Sequence, residues 1–169
     1  MIPKLQTENL AVKNPARWFT DRIWLLVFGI SATMFLMGLL PAWVAGEDSG
    51  FYTLSVMFFE PVCHQFSNRC YYIGELAMPV CSRCFGIYSG LFLMTVLIPF
   101  LRLFRLPGFN FALFLLVASV FLNIIDNAGN FFNWWSNTLT SRYLLGLPIG
   151  LSAVYVIFSE YIPGRKTKS

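Results

Sequence analysis

Four apolar stretches, each long enough to cross a bilayer, limit the fold of this 169-residue chain more than any other feature. A helix needs about 20 apolar residues to span the hydrocarbon core. The stretches run from about Ile23 to Ala45, Val80 to Leu103, Phe111 to Phe131 and Arg142 to Tyr161. Water is absent from that core, so backbone polar groups must bond within the segment, as a helix does. Charged residues make up only 12% of the chain and apolar residues 57%. An ordinary soluble domain has about 25% charged residues, so the composition excludes a soluble enzyme, a disordered chain and a disulfide-rich secreted mini-protein. Eighteen Phe, seven Tyr and five Trp suit lipid contact and interfacial anchoring.

A shorter apolar run, Phe51 to Phe59, cannot span. It reads as an interfacial or re-entrant helix. The expected fold is therefore an all-α membrane protein with four transmembrane helices and a short helix in the first outer loop. One integral membrane domain covers 1–169, with a cytoplasmic arm at 1–22, an outer loop at 46–79 and a cytoplasmic tail at 162–169. The first stretch exceeds the usual signal-peptide core of about 7–15 residues. It also carries Pro41 and Trp43 where cleavage would want small residues, so it reads as a retained helix. Gly86 and Gly90 form one GxxxG pair, and Gly146 and Gly150 another. Such spacing lets helix backbones approach closely in lipid.

Orientation follows from Lys and Arg in the connections. Lys4, Lys13, Arg17, Arg22, Arg102, Arg105, Arg165, Lys166 and Lys168 make nine on one side. Arg69, Arg83 and Arg142 make three on the other. This predicts a multi-pass cell-membrane protein with both termini cytoplasmic. The net charge of +4 is thus a topology signal, not a nucleic-acid footprint. The expected surroundings are the lipid bilayer, with a membrane protein partner or a second copy as further possibilities.

All four cysteines and the single histidine fall within the 22 positions from Cys63 to Cys84. Cys81 and Cys84 form a CxxC pair where the second long helix is expected to begin. Residues three apart share a helix face, so both sulfurs are expected to point at one site from its first turn. Asp126 lies fifteen residues past Phe111, about 22 Å along its helix at ~1.5 Å per residue. Arg142 opens the last helix on the same side. Ionisable groups within spans usually face the interior with a partner, so an Asp126–Arg142 or Asp126–Arg83 pair is expected.

The strings CHQFSNRC and PVCSRCFGIYSG resemble a family of small prokaryotic membrane proteins of unknown function. That family is marked by Cys-His-Gln, an Arg six positions after the first Cys, and Cys-x-Arg-Cys-x-Gly-Ile-Tyr. The resemblance continues through Ile125-Asp126, Ser136-Asn137 and Arg142-Tyr143-Leu144-Leu145-Gly146. It implies importance for Cys63, His64, Gln65, Arg69, Cys81, Arg83, Cys84, Asp126, Asn137 and Arg142. Cys70 departs from the pattern, which has serine there. The family itself implies no activity.

The cluster supports several chemistries. Cys63, His64, Cys81 and Cys84 supply three thiolates and an imidazole, a ligand set that suits zinc in a structural or catalytic role. Gln65, Arg69, Arg83, Asp126, Asn137 and Arg142 would support it. A CxxC at a helix start also suits thiol–disulfide exchange, with Cys63 as partner thiol. The bland alternative is an accessory or assembly subunit whose cysteines are only structural. Arg69, Arg83 and Arg142 together would also hold a phosphate, as in an enzyme working on lipid head groups. The sequence leaves open whether the protein is an enzyme.

Overall fold

The computed structural model describes residues 15–44, 49–101 and 108–159. Most of the arm at 1–22, the tail at 162–169 and the link carrying Arg102 and Arg105 lie outside the described residues. The described residues form five α-helices: α1 (Pro15–Val44), α2 (Gly50–Phe59), α3 (Ser82–Leu101), α4 (Phe109–Phe131) and α5 (Leu139–Ser159). Between α2 and α3 lie a 3₁₀ turn (Ser67–Arg69) and a hairpin of β1 (Cys70–Ile73) and β2 (Leu76–Cys81).

Four helical segments are long and apolar enough to span: Asp21–Val44, Ser82–Leu101, Phe109–Phe131 and Leu139–Ser159. The expected four-helix membrane fold, with a shorter apolar helix after the first span, is what the chain adopts. Large apolar side chains such as Ile30, Phe114, Phe121 and Leu122 are left outside the packing. In water such surface would drive association. Against lipid tails it is simply solvated.

The closest packing is between α3 and α5. The two helices run parallel, and both GxxxG pairs lie in their contact. An added Cβ on Gly86 would meet the Tyr143 carbonyl, and one on Gly90 the Leu147 carbonyl. An added Cβ on Gly146 would meet the Arg83 carbonyl, and one on Gly150 the Ile87 carbonyl. Each approach is closer than 3.0 Å, which real Cβ atoms essentially never show. The four glycines are therefore required by space: only hydrogen leaves room for the facing backbone. On the other side of α5, Asn123 of α4 donates from Nδ2 to the Leu145 carbonyl at 2.7 Å. Ser119 and Ser152 meet at 3.3 Å. These polar contacts fasten α4 where apolar packing alone gains little over lipid.

Helix α1 lies against α3. Trp24 Nε1 donates to the Thr95 carbonyl at 2.9 Å, and the Phe35 ring stacks on Phe92 with centroids 5.1 Å apart. Gly38 leaves room for Val80 and Phe85. Helix α2 is capped by Ser49, whose side chain accepts from the Phe51 N–H at 3.2 Å. The Tyr52 hydroxyl donates to the Ala77 carbonyl at 2.9 Å and ties α2 to the hairpin. Phe59, fully buried, packs with Cys63 and Val80 beneath that layer.

The hairpin changes one local expectation. The sequence places Val80 and Cys81 in a helix, whereas both belong to β2 and α3 begins at Ser82. The reason lies upstream. Gly74, at φ +63, opens a two-residue turn that only a residue free of Cβ strain enters readily. The antiparallel register that follows, Ile73 with Leu76 and Cys70 with Cys81, holds the segment extended to its last residue.

Alanine at Gly86 or Gly150 should lower bundle stability by about 1–3 kcal/mol, the usual cost of overpacking. Alanine at Gly29, which has nothing within 4 Å, should leave stability unchanged or slightly raised. Thermal unfolding in one detergent compares the three variants; equal midpoints would contradict the close α3–α5 contact.

Candidate metal centre

Three different local structures deliver the three clustered cysteines. Cys63 ends the turn after α2, where its N–H donates to the Phe59 carbonyl at 2.8 Å. Cys81 is the last residue of β2, and Cys84 is the third residue of α3. The CxxC pair thus straddles a strand-to-helix junction, not the single helical turn expected from sequence. The sulfurs still converge: those of Cys63, Cys81 and Cys84 all lie within 4.8 Å of one another.

The backbone is arranged to favour negative charge on Cys63. The Cys81 N–H donates to its sulfur at 3.2 Å. The Gln65 N–H also reaches it, because Gln65 adopts φ +49 and turns the chain back on itself. Gln65 is held there by its side chain, which donates from Nε2 to the Val56 carbonyl at 2.7 Å. The thiols of Cys81 and Cys84 also bond to the Cys63 sulfur. The neighbouring Cys81 and Cys84 side chains, with these backbone donors, hold its pKa well below the usual thiol range, against the opposing effect of burial. Cys81 shifts upward, chiefly because its proton is shared with Cys63. Three sulfurs this close form a site in which a cation can take the place of the thiol protons.

Cys70 stands apart. It is buried, its thiol donates to the Phe66 carbonyl at 3.3 Å, and it pairs with Cys81 only through the strand register. Burial, reinforced by charge on Cys81 and Cys63, pushes its pKa up to about 12. His64, counted from sequence as a fourth ligand, does not join the group of three sulfurs. It is exposed, and its ring stacks on Phe66 with centroids 5.9 Å apart. His64 nonetheless lines, with Arg69 and the three cysteines, a cavity of about 200 Å³.

A polar network adjoins this cluster at the start of α3. Arg83 Nη2 bonds Asp126 Oδ2 at 2.5 Å, and its Nη1 donates to Asn127 Oδ1. Asn137 Nδ2 donates to the same Asp126 oxygen at 2.6 Å. Of the two partners expected for Asp126, Arg83 makes the pair and Arg142 does not. Arg142 lies instead with Arg69 and Arg83 around a second, smaller cavity. Asn127 and Asn130 belong to this network and are absent from the residues singled out by sequence. The signal was present, since Asn123, Asp126 or Asn127, and Asn130 recur at helical spacing on an otherwise apolar α4.

Asp126→Ala leaves the Arg83 guanidinium without its counter-charge. The pair keeps only 20% and 12% side-chain exposure, so the loss should approach about 3 kcal/mol, the low end for breaking a buried pair. Asp126→Asn, which keeps an acceptor for Arg83, should lose less. Unfolding midpoints of the two variants check the order.

The comparisons with known proteins agree with the membrane architecture. A family model described as "Predicted membrane protein (DUF2085)" matches residues 63–156, beginning at Cys63. The chain is also similar to "Uncharacterized protein MJ1492" of Methanocaldococcus jannaschii, with 26% identity over 119 residues. That alignment covers 66% of this chain and 74% of the relative. No solved structure matches. The family match spans more than half of the sequence, from the first cysteine of the cluster into α5, and the chain belongs to this family of predicted membrane proteins.

Proposed function

We propose that this membrane protein carries a zinc site made by Cys63, Cys81 and Cys84. The observation that carries the reading is the convergence of three sulfurs within 4.8 Å from three separate pieces of backbone. Tetrahedral zinc holds thiolates at about 2.3 Å, which sets sulfurs nearly 4 Å apart. Two backbone N–H groups aimed at Cys63 support the same reading, since such donors stabilise a metal-bound thiolate. Three protein ligands leave the fourth position to water or an exchangeable group, as in catalytic zinc sites. His64 lines that cavity as a neighbour of the open position. Gln65 holds the Cys63 turn; Arg69, Arg83, Asp126 and Arg142 form its charged border, and the Asn137 amide holds Asp126 in place. Free thiols in this arrangement also suit thiol–disulfide exchange, which the same experiment separates.

Purified protein should contain one zinc per chain by elemental analysis. Serine at Cys63, Cys81 or Cys84 should remove at least about 90% of it, since each supplies a ligand to a site with no spare thiolate. Cys70→Ser should retain it. His64→Ala should also retain it, and loss there would make His64 the fourth ligand. A metal-free protein whose free-thiol count follows the redox buffer would replace the zinc reading with disulfide exchange.

In this reading the metal site faces outward. The arm at 1–22 and the tail at 162–169 are cytoplasmic, and the segment at 46–79 lies outside. The support is the nine-to-three distribution of Lys and Arg. A reporter fused after Ser169 should give a cytoplasmic signal, and one inserted near Gly50 an external signal. The reverse pattern would invert the protein without changing its helices.

A further inference from the structure

The second cavity, beside the thiol cluster, holds about 70 Å³ and is lined by Arg69, Cys81, Arg83, Asn127, Asn130 and Arg142. Three guanidiniums face it, and Asp126, their carboxylate neighbour, is already committed to Arg83 and Asn137. Cationic groups are costly at the end of a span and are normally paired. Among the arginines and Asp126, three guanidiniums share one carboxylate. The Nε atoms of Arg83 and Arg142 are both buried without a hydrogen-bond partner. Buried donors of this kind are rare and usually mark an absent ion or water. The two asparagines add to the same imbalance. The Asn127 carbonyl accepts from Arg83, and the Asn130 carbonyl accepts from the Asn137 N–H at 3.3 Å. Their acceptors are thus occupied and their NH₂ donors remain uncommitted. A cavity rich in donors, poor in acceptors and positive in charge calls for a ligand that only accepts and is negative.

We propose that Arg69, Arg83 and Arg142, with Asn127 and Asn130, bind a phosphate group. A tetrahedral oxyanion has enough acceptor oxygens to engage several guanidiniums at once, and Arg is the residue best shaped to meet it. The size is consistent: one water takes about 30 Å³ in the liquid, so the cavity admits a single small anion. The phosphate is either free or the head group of a phospholipid. The cavity lies at the ends of α3, α4 and α5, and the segment that follows Asn130 in sequence carries the exposed aromatic residues Phe132 and Trp134, a kind of side chain that sits at head-group level. The proposal does not depend on zinc. The two cavities nevertheless share Arg69 and Cys81 as a common wall.

Calorimetric titration of the detergent-purified full chain tests this. Inorganic phosphate and two short-chain lipids, dihexanoyl phosphatidic acid and dihexanoyl phosphatidylcholine, are the probes, with acetate as control. Saturable binding of phosphate, of a lipid or of both is expected, with acetate at least tenfold weaker. Binding of lipid alone identifies the head group as the source, and equal binding of inorganic phosphate identifies the free ion. Arg142→Gln should weaken the interaction at least about tenfold, the loss of one charged hydrogen bond. Should that variant lose the fold, Arg69→Gln, at an exposed position in the short 3₁₀ turn and outside the five α-helices, carries the same expectation. The Cys63→Ser variant should keep phosphate binding whether or not it keeps zinc, which separates this proposal from the metal reading. Absence of saturable binding to all three phosphate probes, acetate binding as tight as phosphate, or unchanged affinity in a folded arginine variant would overturn it.

Discussion

The placement of charge at the outer ends of the helices depends on the glycine-lined contact between α3 and α5. In lipid, helices gain little by hiding apolar surface from solvent, so association rests on close fit and polar contacts. Gly86 and Gly90 meet Gly146 and Gly150 closely enough that each would place an added Cβ against the facing backbone. This contact fixes the relative height of the two helices. It therefore sets Arg83, in the first turn of α3, level with Arg142, in the first turn of α5. A bulkier interface would spread these cations and open the arginine cavity.

The thiol cluster is held by a second set of constraints, all local. The hairpin keeps Cys81 extended, the helix start presents Cys84, and the reversal at Gln65 brings Cys63 across to meet them. Tyr52 and Gln65 tie that layer to α2 through backbone carbonyls. No single element contains the site. Its geometry is a property of the junction between a membrane bundle and the small folded layer on its end.

The helices were legible because lipid imposes one rule on every residue of a span, and a run of apolar side chains records it. The cysteine set was legible because Cys and His were concentrated in one short segment. The β-hairpin was not. Its strands are short, and Val80-Cys81 reads as the beginning of the following apolar helix. Only the pairing of Cys70 with Cys81 distinguishes the two, and pairing is not a local property. The partner of Asp126 was similarly ambiguous. Arg83 and Arg142 have the same charge and nearly the same depth, and Asp126 and Asn127 of α4 both bond to Arg83. His64 stands between the two cases: its chemistry and its place beside Cys63 single it out, and it lines the cavity while remaining outside the group of three sulfurs.

The arrangement of charges also bears on how the chain assembles as it is made. Helix α1 is apolar around most of its surface and can rest in lipid alone. Helix α3 cannot do so as comfortably, because it enters with Arg83 in its first turn and the matching carboxylate lies 43 residues later in the sequence. Asn127, which takes the other half of that guanidinium, arrives with the same helix, α4. The glycine surface of α3 likewise finds its counterpart only when α5 has emerged. The second span therefore inserts as an incomplete element, and its stability is supplied after the fact by the two helices that follow. An interruption of synthesis between α3 and α4 would leave a positively charged, loosely held helix in the bilayer, the kind of intermediate that membrane quality control distinguishes from a finished protein.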